Sequence, residues 1–223
     1  MGNYNNHKNT LKTLKMIEGQ LNESPDLYLD QLDRHQTALI TIDVINGFLK
    51  NGALASDRVK ANLGRWIHYH EQFEDYRKVF FLDAHPEDSV EFETYPPHCI
   101  EGEWESEIVT ELLPYMETDA WTIAKNSTNG FLTHEFMAWL AEHAEVNNFV
   151  IIGDCTDICI KQFALTLKAY FNENNSISRI IVPIDGTETF DLSATLHDGN
   201  LMNLMSYYEM KNNGIEIVKS IIE

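Results

Sequence analysis

The chain has 223 residues, of which 43% are apolar, and its 35 acidic and 16 basic side chains give a formal net charge of −19. This length suits one α/β domain with a sizeable core, and no apolar run approaches the roughly 20 residues that span a bilayer. The negative charge argues against nucleic acid and anionic membrane as partners and suits a small neutral or cationic substrate. Three cysteines do not make a disulfide framework, which predicts a cytoplasmic protein.

Residues 1–36 form an amphipathic stretch before the first strand signal. The pattern predicts a helical N-terminal extension that packs on the domain or on another subunit, and we expect a homo-oligomer. Residues 37–223 then form the main domain.

Six short apolar runs rich in β-branched residues follow the extension. Runs of this kind are typical of strands that are buried on both faces of a sheet. They are residues 37–43, 78–82, 120–124, 148–153, 179–184 and 215–218.

Stretches with helical periodicity lie between most of these strands. The first begins with Ser56 or Asp57 as its cap, and the second begins at Thr133. The predicted helices are residues 56–73, residues 133–146, a helix that opens near residue 156, and residues 193–211 with Gly214 as C-cap. Strand and helix alternation predicts an α/β fold of three layers, in which helices cover both faces of a mostly parallel six-stranded sheet.

Polar residues close several of the predicted strands. In parallel sheets the active site gathers at the carboxyl ends of the strands. The candidates there are Asp43, Asp83 with His85, Lys125, and the turn formed by residues 154–159.

The turn "GDCTDIC" holds Cys155 and Cys159, and its Gly153 is free to adopt an unusual backbone angle. Cys159 falls in the first turns of a helix, where unpaired N–H groups favour a thiolate and could hold an oxyanion. Most free cysteines are simply small buried hydrophobes, and this interpretation stays open. A zinc site that adds His98 and Cys99 would match none of the common zinc-finger spacings.

Two further strand ends favour a nucleophile. Asp43 could act as a base, and Lys125 is a cation that could stabilise first a thiolate and then an oxyanion. Either residue alone is usually a solvated or capping group. Because topology brings both to the same edge as Cys159, the sequence predicts that the three converge.

The segment "LDAHPEDSVEFETYPPHC" carries a second candidate site. Two imidazoles and two carboxylates could hold a divalent ion and leave positions for water or substrate. A polar loop with scattered charges is the alternative. The four candidate ligands are Asp83, His85, Glu91 and His98.

With these motifs the sequence resembles the isochorismatase-like cysteine hydrolases, and among them the nicotinamidase group, from about Thr37 to the C-terminus. The resemblance implies a Rossmann-like three-layer hydrolase domain. It assigns the catalytic acid to Asp43 in "DVINGF", an aromatic pocket wall to Phe48, the catalytic lysine to Lys125 in "AKNSTNGF", and the nucleophile to Cys159.

The resemblance also implies an oxyanion hole formed by the backbone N–H groups of Cys155 and Cys159, with a cis peptide bond between Asp154 and Cys155. Tyr95 stands where tryptophan is common, and it is expected to form a second aromatic wall. Gly47 replaces a frequent aspartate.

The D-x-H segment and the "YPPHC" stretch separate the nicotinamidases from relatives that lack a metal. They imply one divalent ion, zinc before manganese or iron, held by the four candidate ligands. Some nicotinamidases have histidine at the position of Glu91.

The function implied is hydrolysis of nicotinamide to nicotinate and ammonia through a cysteine thioester, in NAD salvage. The alternatives are a related amidase that acts on another small amide, such as a ureido or carbamoyl compound, and a binding protein that keeps the fold without turnover.

Overall fold

The computed structural model describes residues 7–223, so positions 1–6 of the predicted extension lie outside the described residues. Helix α1 spans His7–Asn22, and the chain then enters the short strand β1, Leu27–Tyr28. This strand pairs in parallel with β9, Ile221–Ile222, at the other end of the chain. The N-terminal segment is therefore fastened to the main domain by backbone hydrogen bonds.

A seven-stranded sheet forms the centre of the molecule. Its strands are β2 Thr37–Ile42, β3 Arg77–Asp83, β4 Ala120–Lys125, β5 Asn148–Asp154, β6 Arg179–Pro183, β7 Thr187–Glu188 and β8 Glu216–Val218. The order is β4-β3-β2-β5-β6-β8, with β7 beside the end of β5, and every strand pairing is parallel. The six predicted strands are confirmed. The sheet also contains a seventh strand, β7, which was not predicted because its two residues are too few to form a sequence pattern.

The remaining helices are α2 Asn46–Leu49, α3 Asp57–Lys60, α4 Leu63–Gln72, α5 His134–Glu142, α6 Lys161–Glu173 and α7 Gly199–Asn212. Two predicted caps are confirmed. Ser56 Oγ accepts a hydrogen bond from Val59 N at 3.5 Å, and Thr133 Oγ1 accepts one from Phe136 N at 3.3 Å.

Two predicted helices differ from the structure. The stretch 56–73 is divided at Asn62, whose ψ of −6° interrupts the helix before α4 begins. The late helix begins at Gly199, because Leu196 adopts a left-handed φ of 59° and Asp198 caps the helix that follows. Its predicted end is confirmed by Gly214, which follows it with a φ of +83°.

Alternate residues along the strands face two separate hydrophobic cores. Ile40 packs in one core with Phe163 and with Ile17 of α1, while the adjacent Leu39 packs in the other core with Trp66. Burying a side chain of this size contributes about 2 kcal/mol. The two cores establish the three layers that the sequence predicts.

Within residues 7–223, no helix has both the length and the apolar character that crossing a bilayer requires.

Candidate active site

A cavity of about 430 Å³ opens at the carboxyl ends of the central strands. Eight of the ten predicted site residues line it: Asp43, Phe48, Asp83, Glu91, Tyr95, His98, Cys155 and Cys159. The other two, His85 and Lys125, lie directly behind the wall, where each contacts Asp83.

The turn that carries Cys159 begins where β5 passes very close to β2. Gly153 has a φ of +123°, and a Cβ at this position would lie 2.1 Å from Ile42 O. The peptide bond between Asp154 and Cys155 is cis, as the resemblance implied. A π-helical turn, Thr156–Ile160, then leads into α6 and holds Cys159 at the cavity wall. Such turns are frequent at functional sites.

Lys125 lies between the thiol and two carboxylates. Its Nζ is 3.9 Å from Cys159 Sγ and 2.8 Å from Asp43 Oδ2, and it also contacts Asp83 Oδ1. All of these side chains are almost completely buried. Asp43 and Lys125 come from the ends of β2 and β4, and Cys159 comes from the turn after β5. The predicted convergence of these three residues is therefore present in the structure.

Burial sets the proton distribution in this group. It raises the pKa of Asp43 to about 7, against the opposing effect of Lys125, and Asp83 adds to the increase. It also raises the pKa of Cys159 well above the ordinary value, although Lys125 opposes it. Burial lowers the pKa of Lys125, but the two carboxylates reverse this and hold the pKa well above its ordinary value. The thiol thus carries its proton beside a carboxyl group that titrates near neutrality, as a general base requires.

Asp43 occupies a strained backbone position. Its φ is +57°, while its N–H still donates to Phe81 O at 2.9 Å and its Oδ1 accepts from Asp83 N at 3.0 Å. A non-glycine residue in the left-handed region costs of order 1–3 kcal/mol and persists where the surroundings fix it. Here the surroundings aim the carboxylate at Lys125.

The four predicted metal ligands form one cluster. One ligand atom from each of Asp83, His85, Glu91 and His98 lies within 4.8 Å of all the others. The Nε2 atoms of His85 and His98 are 3.5 and 3.6 Å from Asp83 Oδ2. Ligands that each lie about 2.1 Å from one ion are separated by roughly 3 to 4 Å, and the two distances from Asp83 to the imidazoles fall in this range.

Hydrogen bonds on the far side of each imidazole orient both histidines. His98 Nδ1 donates to Pro96 O at 2.8 Å, and His85 Nδ1 lies 2.9 Å from Asn126 Oδ1. This leaves both Nε2 atoms as acceptors that face the cluster, and His85 Nε2 is buried without a hydrogen-bond partner among the described residues. Outer partners of this kind fix the tautomer of metal-binding histidines.

The charge on Asp83 favours the binding of a cation by the four-ligand cluster. Burial raises the pKa of Asp83, the charge of Lys125 opposes this rise, and the net pKa lies well below the ordinary value. Asp83 is therefore an ionised carboxylate shared between Lys125 and the metal cluster.

The two predicted aromatic walls both adjoin His98. The ring of Phe48 lies 5.8 Å from that imidazole and the ring of Tyr95 lies 6.2 Å from it, measured between centroids. The cavity between them leads from the metal cluster to Cys159.

Comparisons with known proteins agree with this arrangement. Residues 37–207 match the family model described as the isochorismatase domain. The chain belongs to the isochorismatase family. It is 30% identical to Nicotinamidase 1 of Arabidopsis thaliana over 211 residues, which cover 82% of this chain and 85% of that protein.

Solved structures show the same isochorismatase fold. The pyrazinamidase/nicotinamidase of Streptococcus mutans superposes with a TM-score of 0.70 at 19% identity, over 82% of this chain and 99% of that one. The pyrazinamidase of Pyrococcus horikoshii in complex with zinc gives 0.67 at 22% identity, with the same coverage. The predicted family, fold and hydrolase class are confirmed.

In this isochorismatase-family site, the Cys155 side chain turns away from the thiol of Cys159. Its Sγ lies 3.0 Å from Thr189 Oγ1 and 3.8 Å from Asp157 Oδ1. Within residues 7–223, the cluster with metal-ligand spacing includes neither cysteine. The interpretation of the two cysteines as a zinc-binding pair therefore has no support in the structure.

The sequence interpretation missed several cavity residues. Asp154 belongs to the predicted turn of residues 154–159 but was assigned no role, while Phe190, Asp191 and Leu192 follow the unrecognised strand β7. Arg58 comes from α3 and holds Glu188 at 3.0 Å and Asp191 at 3.2 Å. Had β7 been recognised, the rule that sites follow strand ends would have pointed to residues 189–192.

Proposed function

We propose that the protein hydrolyses nicotinamide to nicotinate and ammonia through a thioester on Cys159. The observation that carries this proposal is the presence of two groups in one cavity, the Cys159–Lys125–Asp43 group and the four-ligand cluster. Similarity to nicotinamidases and pyrazinamidases supports the choice of substrate.

The substrate would lie between the ring of Phe48 and the ring of Tyr95, with its carboxamide toward Cys159. An ion held by Asp83, His85, Glu91 and His98, zinc before manganese or iron, would supply a Lewis acid for the pyridine nitrogen. The aromatic walls then hold the amide in a reactive orientation, which lowers the entropic part of the activation barrier.

In the acylation half, Asp43 takes the thiol proton and Lys125 stabilises the resulting thiolate. The sulfur attacks the amide carbon, and the backbone N–H groups of Cys155 and Cys159 stabilise the oxyanion that forms. As the carbon–nitrogen bond breaks, Asp43 returns its proton to the departing nitrogen, and ammonia leaves.

In the deacylation half, Asp43 takes a proton from water and the hydroxide adds to the thioester carbon. The carbon–sulfur bond breaks, nicotinate forms, and the thiolate recovers its proton through Asp43. One carboxyl group with a pKa near neutrality serves both halves. In this role the enzyme would act in NAD salvage in the cytoplasm.

The direct test is ammonia release from nicotinamide by the purified protein. It is assayed as isolated, after treatment with a chelator, and after addition of zinc, manganese or ferrous iron. We expect turnover that the chelator removes and a metal restores. No turnover of nicotinamide, combined with turnover of a carbamoyl or ureido compound, would contradict the proposal and favour the related amidases. No turnover of any amide would favour a binding protein.

A further inference from the structure

Asp154 is a buried carboxyl group whose oxygens have no hydrogen-bond donor among residues 7–223. Its side chain takes part in no ion pair there, and its Oδ1 is fully buried without a partner. The residue is 5% exposed and belongs to the cavity wall. A polar group that is buried in this way costs free energy unless it meets a partner.

The charges around Asp154 argue that it is neutral. Burial raises its pKa well above the ordinary value, and the nearby carboxylates of Asp43, Asp157 and Glu188 raise it further. Lys125, which stabilises the negative charge of Asp43, makes no contact with Asp154. A protonated carboxyl group can donate a hydrogen bond, which a carboxylate cannot.

The position of Asp154 puts its carboxyl group on the cavity wall beside the nucleophile turn. Asp154 is the last residue of β5 and is bonded to Cys155, two features that place it beside the nucleophile turn. Asp154 lines the cavity together with Asp43 and Cys159, which places it beside the point where the amide carbon would meet the nucleophile.

We propose that Asp154 is a further substrate-binding residue, a neutral carboxylic acid that donates a hydrogen bond to the reacting carboxamide of a small primary amide. This inference rests on the proposed function, since it assumes that an amide is attacked by Cys159. Because Oδ1 has no exposed surface, the donor is the hydroxyl group at Oδ2, and bound substrate gives the carboxyl group a partner that the free protein lacks. The group then lowers the stability of the free protein in exchange for affinity.

The test compares Asp154→Leu with Asp154→Asn. The leucine variant removes the donor, and we expect its kcat/KM for nicotinamide to fall about three- to tenfold, the value of one hydrogen bond. The same variant should melt at a Tm roughly 2–8 °C higher, because it no longer buries an unpartnered carboxyl group. Asp154→Asn keeps an N–H donor of similar shape, so it should recover most of the lost kcat/KM.

Ser24→Ala is the matched control for stability. Ser24 Oγ is also buried without a partner, but the residue lies outside the cavity. This variant should gain stability and keep the wild-type kcat/KM, which would separate a general gain in stability from the loss of a substrate contact.

Infrared spectroscopy provides a readout that does not need turnover. Asp43 titrates near neutrality and contributes a band of its own, so the readout is a difference spectrum. The wild-type spectrum minus that of Asp154→Asn should show, at neutral pH, the C=O band of one protonated carboxyl group. In the Cys159→Ala variant, this band should shift when nicotinamide is added.

Three results would overturn the inference: a leucine variant with wild-type kcat/KM, an asparagine variant as impaired as the leucine variant, or the absence of the infrared band. A wild-type protein that releases no ammonia from nicotinamide would overturn the proposed function instead. In that case the infrared band and the order of Tm values would still decide whether Asp154 is a neutral, unpartnered acid.

Discussion

The ammonium group of Lys125 contacts two carboxylates and faces the Cys159 thiol at 3.9 Å. Sequence reasoning placed the lysine near the nucleophile, but it did not foresee the contact with Asp83. Through that contact one buried cation connects the nucleophile to the metal cluster. Removing its charge should therefore affect both.

We predict that Lys125→Met slows alkylation of Cys159 by iodoacetamide at pH 7 about tenfold or more. The charge of Lys125 opposes the rise in the pKa of the Cys159 thiol, so its removal should raise that pKa further. Each added pKa unit lowers the fraction of Cys159 that is thiolate at pH 7 about tenfold. The metal content of the variant should fall as well, since Asp83 loses its buried partner.

Lys161→Met is the matched control, because Lys161 is partly exposed on α6 and, within residues 7–223, forms an ion pair with Glu209 alone, at 3.3 Å. Asp43→Asn should lose turnover, yet it should alkylate as fast as the wild type or faster, since an anion beside the thiolate is removed. Wild-type alkylation and turnover in Lys125→Met would refute the assigned role of the lysine.

Residue types and spacing were enough to predict eight of the residues that line the cavity, because each one belongs to a recognisable strand end or motif. The supporting residues were not predictable in the same way. Asn126, which orients His85, is an ordinary polar residue in a loop. Its role arises only when β3 and β4 lie side by side, and nothing local in the sequence reports that contact.

At the level of secondary-structure elements, the site depends on the close contact between β2 and β5. Strand β5 pairs with β2 along its length, and Gly153 is its last partner, opposite Ile42. Only a glycine fits here, because the backbone has a positive φ and the Ile42 carbonyl occupies the space that a side chain would need.

We predict that Gly153→Ala lowers the free energy of unfolding by about 3 kcal/mol or more, since the added Cβ forces the two strands apart. Gly64→Ala is the matched control. A Cβ at Gly64 meets no atom within 4 Å, and the residue lies in α4, so alanine should stabilise by about 0.5–1 kcal/mol. Chemical denaturation measures both variants, and equal stabilities would refute the packing argument.

Elements with strong patterns were predictable, and those fixed by tertiary contacts were not. Six strands and the caps of two helices follow from periodicity and cap residues. Strand β7 has two residues, too few for any periodicity, and it exists because Gly153 and Asp154 pair with Thr187 and Glu188. The π-helical turn at Thr156–Ile160 likewise has no sequence signature of its own.

In the whole molecule, one of the two cores encloses a titratable side chain. The core between the sheet and α4 encloses His70, which stacks on Phe80 with ring centroids 5.1 Å apart and contacts Thr41 Oγ1 at 3.1 Å. Burial lowers the pKa of this imidazole to about 3, and Lys78 contributes to the decrease. His70 is therefore neutral in the folded protein.

This burial predicts a dependence of stability on pH. The folded pKa lies below the unfolded value of about 6.5, so stability is full above that value and falls as the pH drops toward 3. From this residue alone the protein should lose about 2 kcal/mol between pH 7 and pH 5.

Urea unfolding at the two pH values measures the loss. His70→Phe should show a smaller difference than the wild type, because phenylalanine does not titrate. His68→Gln is the control, since His68 is about half exposed, and it should keep the wild-type difference. An unchanged difference in His70→Phe would show that the loss comes from other groups.

The overall fold was predictable because alternating strands and helices permit few arrangements. The N-terminal extension shows the limit of such reasoning. Its amphipathic pattern predicts a helix that packs on some surface, but the partner is set by contacts between the two ends of the chain. The homo-oligomer remains a prediction.

The measurement that tests the central claim most directly is mass spectrometry of the protein quenched with acid during turnover of nicotinamide. The claim predicts a covalent adduct with the mass of one nicotinoyl group, located by digestion on the peptide that contains Cys159. Cys155→Ala should form the same adduct, because the Cys155 side chain faces Thr189, whereas Cys159→Ala should form none. Turnover without any adduct, or an adduct that persists in Cys159→Ala, would contradict the claim.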